Sequence, residues 1–257
     1  MTARLRRDSM PEPMRLPYFP LHVVLFPHLP LPLHIFEERY RAMTRDILAK
    51  DSPFAARFVV SMITQGHEVA ESARGNRRPA QTRRIGTIAE VRSAEQLEDG
   101  RWVLLCVGIA RAVLGHVEEG GEYALVHATP LPEVDGVDAR RLVAEVQGAL
   151  DLYLSCVKRF VVTAASSGPS SQEITDVSAS LDAVLKPIRL PHDPLAASYA
   201  VGGLLQVELT RKQQLLELPD AASRLRAELD LLRRESRLLA DGALPPVAPA
   251  DLRYNPN

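Results

Sequence analysis

The side chains able to do chemistry are scattered along this chain and do not form a motif. Its seven histidines stand at 22, 28, 34, 67, 116, 127 and 192. No two of them have the HExxH spacing that sets a pair of imidazoles around zinc on one helical face, and no Cys/His cluster has zinc spacing. His34 and Glu38 are one helical turn apart, but motif-free pairs of this kind are ordinarily packing or solvated surface. Cys106 and Cys156 each lie in an apolar segment, which reads as core packing in a reducing compartment and not as a disulfide framework. No Gly-x-Ser-x-Gly elbow presents a serine nucleophile. A triad assembled in space leaves no trace in one dimension, so an uncharacterised hydrolase stays as an alternative. Gly120-Gly121 and Gly202-Gly203 lack the Gly-Lys-Ser/Thr that completes a phosphate-cradling loop. The expectation is a protein that is not an enzyme, with no catalytic residue, no metal and no cofactor.

Binding chemistry has two candidates. Five arginines fall between Arg74 and Arg84, and Arg77, Arg78, Arg83 and Arg84 are the residues that would grip RNA phosphates. No aromatic side chain for base stacking is interleaved with them, so the competing reading is a solvated loop. The formal net charge is −1, which gives no global field toward nucleic acid or anionic lipid; no DNA and no membrane partner is expected. The second candidate is a peptide site. Leu29, Leu31 and Leu33 alternate with Pro30 and Pro32, and such a strand cannot donate a full ladder. Its leucines are candidates to receive an unfolded or partner polypeptide, with Glu38 and Arg39 as a polar rim. The competing readings are core packing for the leucines and i,i+4 pairing, such as Glu37 with Arg41, for the charges.

The elements that position these residues change period near the middle. At 46% apolar and 25% charged the composition is that of a soluble globular protein. Residues 1–13 are basic and then proline-rich and are expected to be a flexible N-terminus, not a signal peptide. Residues 14–132 read as β with one helix. Prolines 17, 20, 27, 30 and 32 predict short edge strands joined by rigid bends. Phe36, Tyr40, Met43 and Ile47 form one apolar stripe on a helix over 36–50. Strands are predicted at Phe54–Ile63 and Ile85–Val91, with a hairpin turn at Glu98-Asp99-Gly100 before Trp102–Val107. That last segment is apolar on both faces, so it is predicted to be central in a closed or nearly closed sheet and not on a solvated edge. Ile109–Val117 and Tyr123–Thr129 complete a pattern of short strands that points to a small barrel. Residues 137–241 have helical period instead. Leu142, Val146, Leu150, Tyr153, Val157 and Phe160 make one stripe. Ser170 with Glu173 has capping-box spacing, Asp193-Pro194 is a helix start, and Leu225, Leu229, Leu232 and Leu239 mark a last helix. The tail, 242–257, is expected to be flexible, and no run approaches a membrane span.

The order of these segments resembles the Lon protease N-terminal (substrate-binding) domain family. The likeness begins in Leu16-Pro17-Tyr18-Phe19-Pro20-Leu21 and Leu31-Pro32-Leu33-His34-Ile35-Phe36-Glu37-Glu38-Arg39-Tyr40. It continues through Phe58-Val59-Val60, Ile85-Gly86-Thr87-Ile88, Gly108 with Arg111, and Lys212-Gln213-Gln214-Leu215-Leu216-Glu217 followed by Asp220. Ala112 stands where the family commonly has an aromatic. The resemblance implies an α+β fold, in which a PUA-like β pseudo-barrel with one packed helix precedes a C-terminal helical bundle. It implies a non-catalytic module that binds unfolded or partner polypeptides, linked to proteolysis or protein quality control in the cytoplasm. With no Walker motif and no room for a peptidase after residue 240, the expectation is a stand-alone domain without ATPase or peptidase modules.

Overall fold

The computed structural model describes residues 11–65, 81–166 and 188–241. The helix expected after Ser170 and the greater part of the arginine-rich loop lie outside the described residues. The chain divides into two compact units that part between Pro132 and Glu133. Together they carry a mixed sheet and five described helices, an α+β architecture.

The first unit runs β1 (Met14–Leu21), β2 (Pro30–Ile35), α1 (Glu38–Leu48), β3 (Arg57–Gln65), β4 (Gln81–Thr82), β5 (Ile85–Gln96), β6 (Trp102–Glu118) and β7 (Leu125–Pro130). The sheet order is β1-β7-β6-β5-β3-β4 with β2 on β6, and a parallel pairing of β1 with β3 closes the path on itself. Prolines 17 and 20 do not reduce β1 to a short edge piece; it is one strand of eight residues. Met14 to Pro17 pair with β7, and Tyr18 to Leu21 pair with β3. Each half thus has one open side toward which a proline nitrogen can point.

The two strands expected at Trp102–Val107 and Ile109–Val117 are a single strand of 17 residues. Gly108 continues it: the Gly108 carbonyl accepts from the His28 N–H at 2.8 Å, and its N–H donates to the Leu29 carbonyl at 3.1 Å. A Cβ at this position would come within 2.5 Å of the Phe26 carbonyl oxygen, so glycine is what lets the segment before β2 approach. Register shifts between Ile88 and Ala89, Val91 and Ser93, and Leu114 and Val117 add twist along β5 and β6. Gly100, at φ +80°, makes the β5–β6 turn.

On α1, Tyr40, Met43 and Ile47 are buried and join a cluster with Phe19, Leu33, Ile35, Phe58 and Leu104. Phe36, counted in the same stripe from its spacing, precedes the helix and is exposed. A second cluster, Leu16, Tyr18, Val59, Ile88, Leu114 and Val126, fills the other part of the sheet interior.

The second unit contains α2 (Ala139–Ser166), α3 (Pro194–Leu204), α4 (Leu209–Glu217) and α5 (Ala221–Ala240), with α5 packed along α2. Leu142, Val146, Leu150 and Tyr153 of α2 and Leu225, Leu229, Leu232 and Leu239 of α5 are buried. Asp193 caps α3 by accepting from the Ala196 N–H at 2.8 Å, with Pro194 at its start. Asp220 does the same for α5 from the Ser223 N–H at 2.7 Å. Arg224 is fully buried. Its guanidinium donates to Ser198 Oγ at 2.8 Å, the Leu215 carbonyl at 3.1 Å and the Leu218 carbonyl at 3.3 Å, and lies 4.3 Å over the Tyr199 ring. One turn on, Glu228 is fully buried with neither carboxyl oxygen hydrogen-bonded.

Candidate functional site

Alternation along β6 divides its first six residues between two faces. Leu104 and Cys106 point into the core. Val103 and Leu105 point out and are 38% and 43% exposed. The sequence predicts this segment to be central in the sheet because both its faces are apolar; one of those faces is open. The strand does have a partner on each side, β2 and β5, but its outward face is open.

Register assembles a surface around these two side chains, because residues directly opposite in antiparallel strands share a face. Leu105 stands between Pro32 of β2 and Ser93 of β5, Val103 between His34 and Glu95, and Val107 between Pro30 and Glu90. Pro30 and Pro32 are exposed. Phe36, 37% exposed, extends the apolar surface beyond β2, with its ring centroid 6.3 Å from that of His34. A shallow depression beside it is lined by Phe19, Leu21, His34, Phe36, Glu37 and Tyr40. The face is apolar along β6 and the prolines of β2 and is bordered by Ser93, Glu95 and Glu90 of β5, and the recess beside Phe36 is small.

β2 pairs only with β6 among the described strands. Because the Leu29 carbonyl accepts from Gly108, alternation turns the main-chain groups of Leu31 and Leu33 toward β6 and the nitrogens of Pro30 and Pro32 toward the open edge. That edge lacks two donors, so an incoming chain finds a better surface on the face than along the edge.

The charges at the start of α1 satisfy one another. Arg39 pairs with Glu37 at 2.9 Å and lies 4.5 Å over the Tyr40 ring. Glu38 accepts from Arg41 at 3.0 Å and Arg45 at 3.3 Å, and Arg41 Nε donates to the Gly100 carbonyl at 2.8 Å. Glu38 is thus engaged by arginines, and His34 faces Phe36 instead of forming the pair its spacing allowed. Exposed pairs of this kind contribute little stability, about 0–1 kcal/mol each; their effect is a polar border.

The residues singled out in the sequence are only partly brought together. Leu31 and Leu33 are 9% and 2% exposed and belong to the core, so they have almost no surface to offer. Leu29 is half-buried, and Glu38 and Arg39 lie at the border just described. Arg77 and Arg78 lie outside the described residues. Arg83 and Arg84 are held by their main chain: the Arg83 N–H donates to the Met62 carbonyl at 3.2 Å, and the Arg84 carbonyl accepts from the Leu114 N–H at 2.7 Å. Val103, Leu105, Pro32 and Phe36 form the exposed face and were not singled out. Their signal was the run of polar residues Arg92, Ser93, Glu95 and Gln96 in the pairing arm. Such a run marks the part of the sheet that extends past the core.

Burial pushes the Cys106 thiol up to about 12, and Cys156 is buried as well. Among the described residues no group of three His, Cys, Asp or Glu side chains is placed to hold a metal ion. Also among them, no helix is long and apolar enough to cross a membrane.

Known proteins with the same pattern share its domain. "Lon protease 2" of Syntrophobacter fumaroxidans is 24% identical over 223 residues, covering 86% of this chain and 24% of that protein. "Lon protease" of Xanthomonas oryzae pv. oryzae is 28% identical over 239 residues, 90% of this chain and 25% of that protein. The chain thus spans about a quarter of the length of these relatives. Among solved structures, the N-terminal domain of Mycobacterium avium complex Lon protease superposes with a TM-score of 0.56 at 19% identity, covering 86% of this chain and 98% of that one. The Lon N-terminal domain protein from Xanthomonas campestris gives 0.51 at 17% identity. The family model described as the ATP-dependent protease La (LON) substrate-binding domain matches residues 15–234, and the chain belongs to that family.

Proposed function

We propose that this chain is a non-catalytic polypeptide-recognition module whose outward β2–β6–β5 face binds apolar segments of unfolded or partner proteins. The observation that carries the reading is the exposure of Val103 and Leu105 in register with Pro32. Covering apolar surface yields about 25 cal/mol per Å². On a face without a deep pocket that gain stays small per side chain. Binding of this kind is weak and sequence-tolerant, as suits a surface that samples many unfolded segments. The family's description as a substrate-binding domain supports the same role. In this reading the first unit is a PUA-like pseudo-barrel and the second a helical bundle, and captured chains pass to a proteolytic or quality-control machine in the cytoplasm. The buried free thiols, Cys106 and Cys156, accord with a reducing compartment.

The test is capture of a reduced, permanently unfolded model polypeptide, followed by fluorescence anisotropy. Val103→Asp with Leu105→Asp should weaken capture by about tenfold, since each carboxylate must be desolvated where an apolar contact was made. Both side chains are exposed, so circular dichroism should be unchanged. Equal capture by the double variant rejects this face. Val137→Asp, at a 76% exposed valine elsewhere, is the matched control.

A further inference from the structure

The outward side of α5 carries three arginines, Arg233, Arg234 and Arg237, that are exposed and form no ion pair among the described residues. With Asp230 and Leu238 they line an open depression of about 360 Å³. Arg226 lies two turns earlier on the same stripe and donates to the Val137 carbonyl at 2.9 Å. At about 100° and 1.5 Å per residue, positions 226, 230, 233, 234 and 237 stay on one face along about 16 Å of helix. The buried leucines of α5 occupy the opposite side.

One pairing in this arrangement works against the helix, although Arg237 in the last turn is favoured by the helix dipole. Arg233 and Arg237 are like charges at i,i+4, a destabilising relation. Asp230, three and four residues before Arg233 and Arg234, forms no ion pair with either. The chain as a whole is formally −1, so the patch is not part of a general positive field.

We propose that this face docks an acidic polypeptide segment bearing an apolar anchor, with carboxylates on Arg233, Arg234 and Arg237 and the anchor on Leu238. Guanidinium forks match carboxylates in two-point contacts, and Leu238 is an exposed aliphatic surface among them. A nucleic-acid backbone fits less well. No aromatic side chain lines the depression for base stacking. The surface is separate from the apolar face proposed above and does not depend on it.

The experiment is fluorescence anisotropy on the full chain at low salt with three probes. They are a short labelled peptide of glutamates around a central leucine, the same peptide with lysines for glutamates, and a uridine oligonucleotide. The acidic peptide should bind, weaken as salt is raised, and weaken by about tenfold in the R233Q/R234Q/R237Q variant. The lysine peptide should not bind. Arg→Lys at the same three positions should fall between, since charge is kept and the fork is lost. Leu238→Ser should weaken the acidic peptide, and V103D/L105D should leave it unchanged, which separates this proposal from the earlier one. No binding of the acidic peptide, an unchanged affinity in the glutamine variant with a wild-type melting curve, or tighter binding of the oligonucleotide through these arginines would each overturn the proposal.

Discussion

Glu228 is held in the core of the helical unit one turn from Arg224, and burial raises its carboxyl well above the usual carboxylate range while Arg224 opposes the rise. The folded chain therefore keeps this proton to higher pH than the unfolded chain does. Stability contributed by the protonated form is complete below the unfolded value of about 4.3 and is lost as pH climbs toward the folded value. Glu228→Gln should melt at a higher temperature than the parent, and the gap should widen as pH rises above the unfolded value of about 4.3; a gap independent of pH would contradict the assignment. Glu118 behaves in the opposite sense. Arg15 and His127 hold its carboxyl down at about 2, so whatever it contributes is present at neutral pH and disappears as the solution is acidified. Arg224→Met should cost about 2–4 kcal/mol, because the Ser198 hydroxyl and two buried carbonyls lose a charged donor together. Chemical denaturation checks it.

Capping shows which elements were legible before any coordinates. Asp193→Ala should lower stability by about 1 kcal/mol in denaturant titrations, since its carboxylate satisfies the Ala196 N–H at the start of α3. Asp193-Pro194, the stripe Tyr40-Met43-Ile47 and the leucines of α5 could be read because caps and helical faces are set by neighbours within a few residues. The candidate surface could not be read in the same way. Leu31-Leu33 and Val103-Leu105 are chemically equivalent pairs in paired strands, yet one pair is buried and the other is open. Whether a further layer covers a sheet face is decided by elements far away in sequence. The union of two expected strands into β6 escaped for a related reason: glycine reads as a break, whereas Gly108 is required by the approach of Phe26 from another segment. The charged side of α5 was legible, but a leucine stripe accounts for a helix so completely that its opposite side draws no notice.

At the scale of the molecule, each of the two units has its own buried set of side chains. The single tryptophan, Trp102, belongs to the first unit, and the longer helices belong to the second. In Arg224→Met the far-ultraviolet dichroism of the helices should be lost at lower temperature while the Trp102 emission transition stays where it is; a shared downward shift would show that the two melt as one. The edge prolines of β2 have a consequence beyond recognition. An apolar sheet face beside a strand with one open edge is what lets identical chains stack edge to edge into fibres, and proline is among the devices that stop such stacking. Pro30 and Pro32 remove the donors that a second copy would need. A protein can then keep greasy surface in water, at working concentration, without seeding its own aggregates.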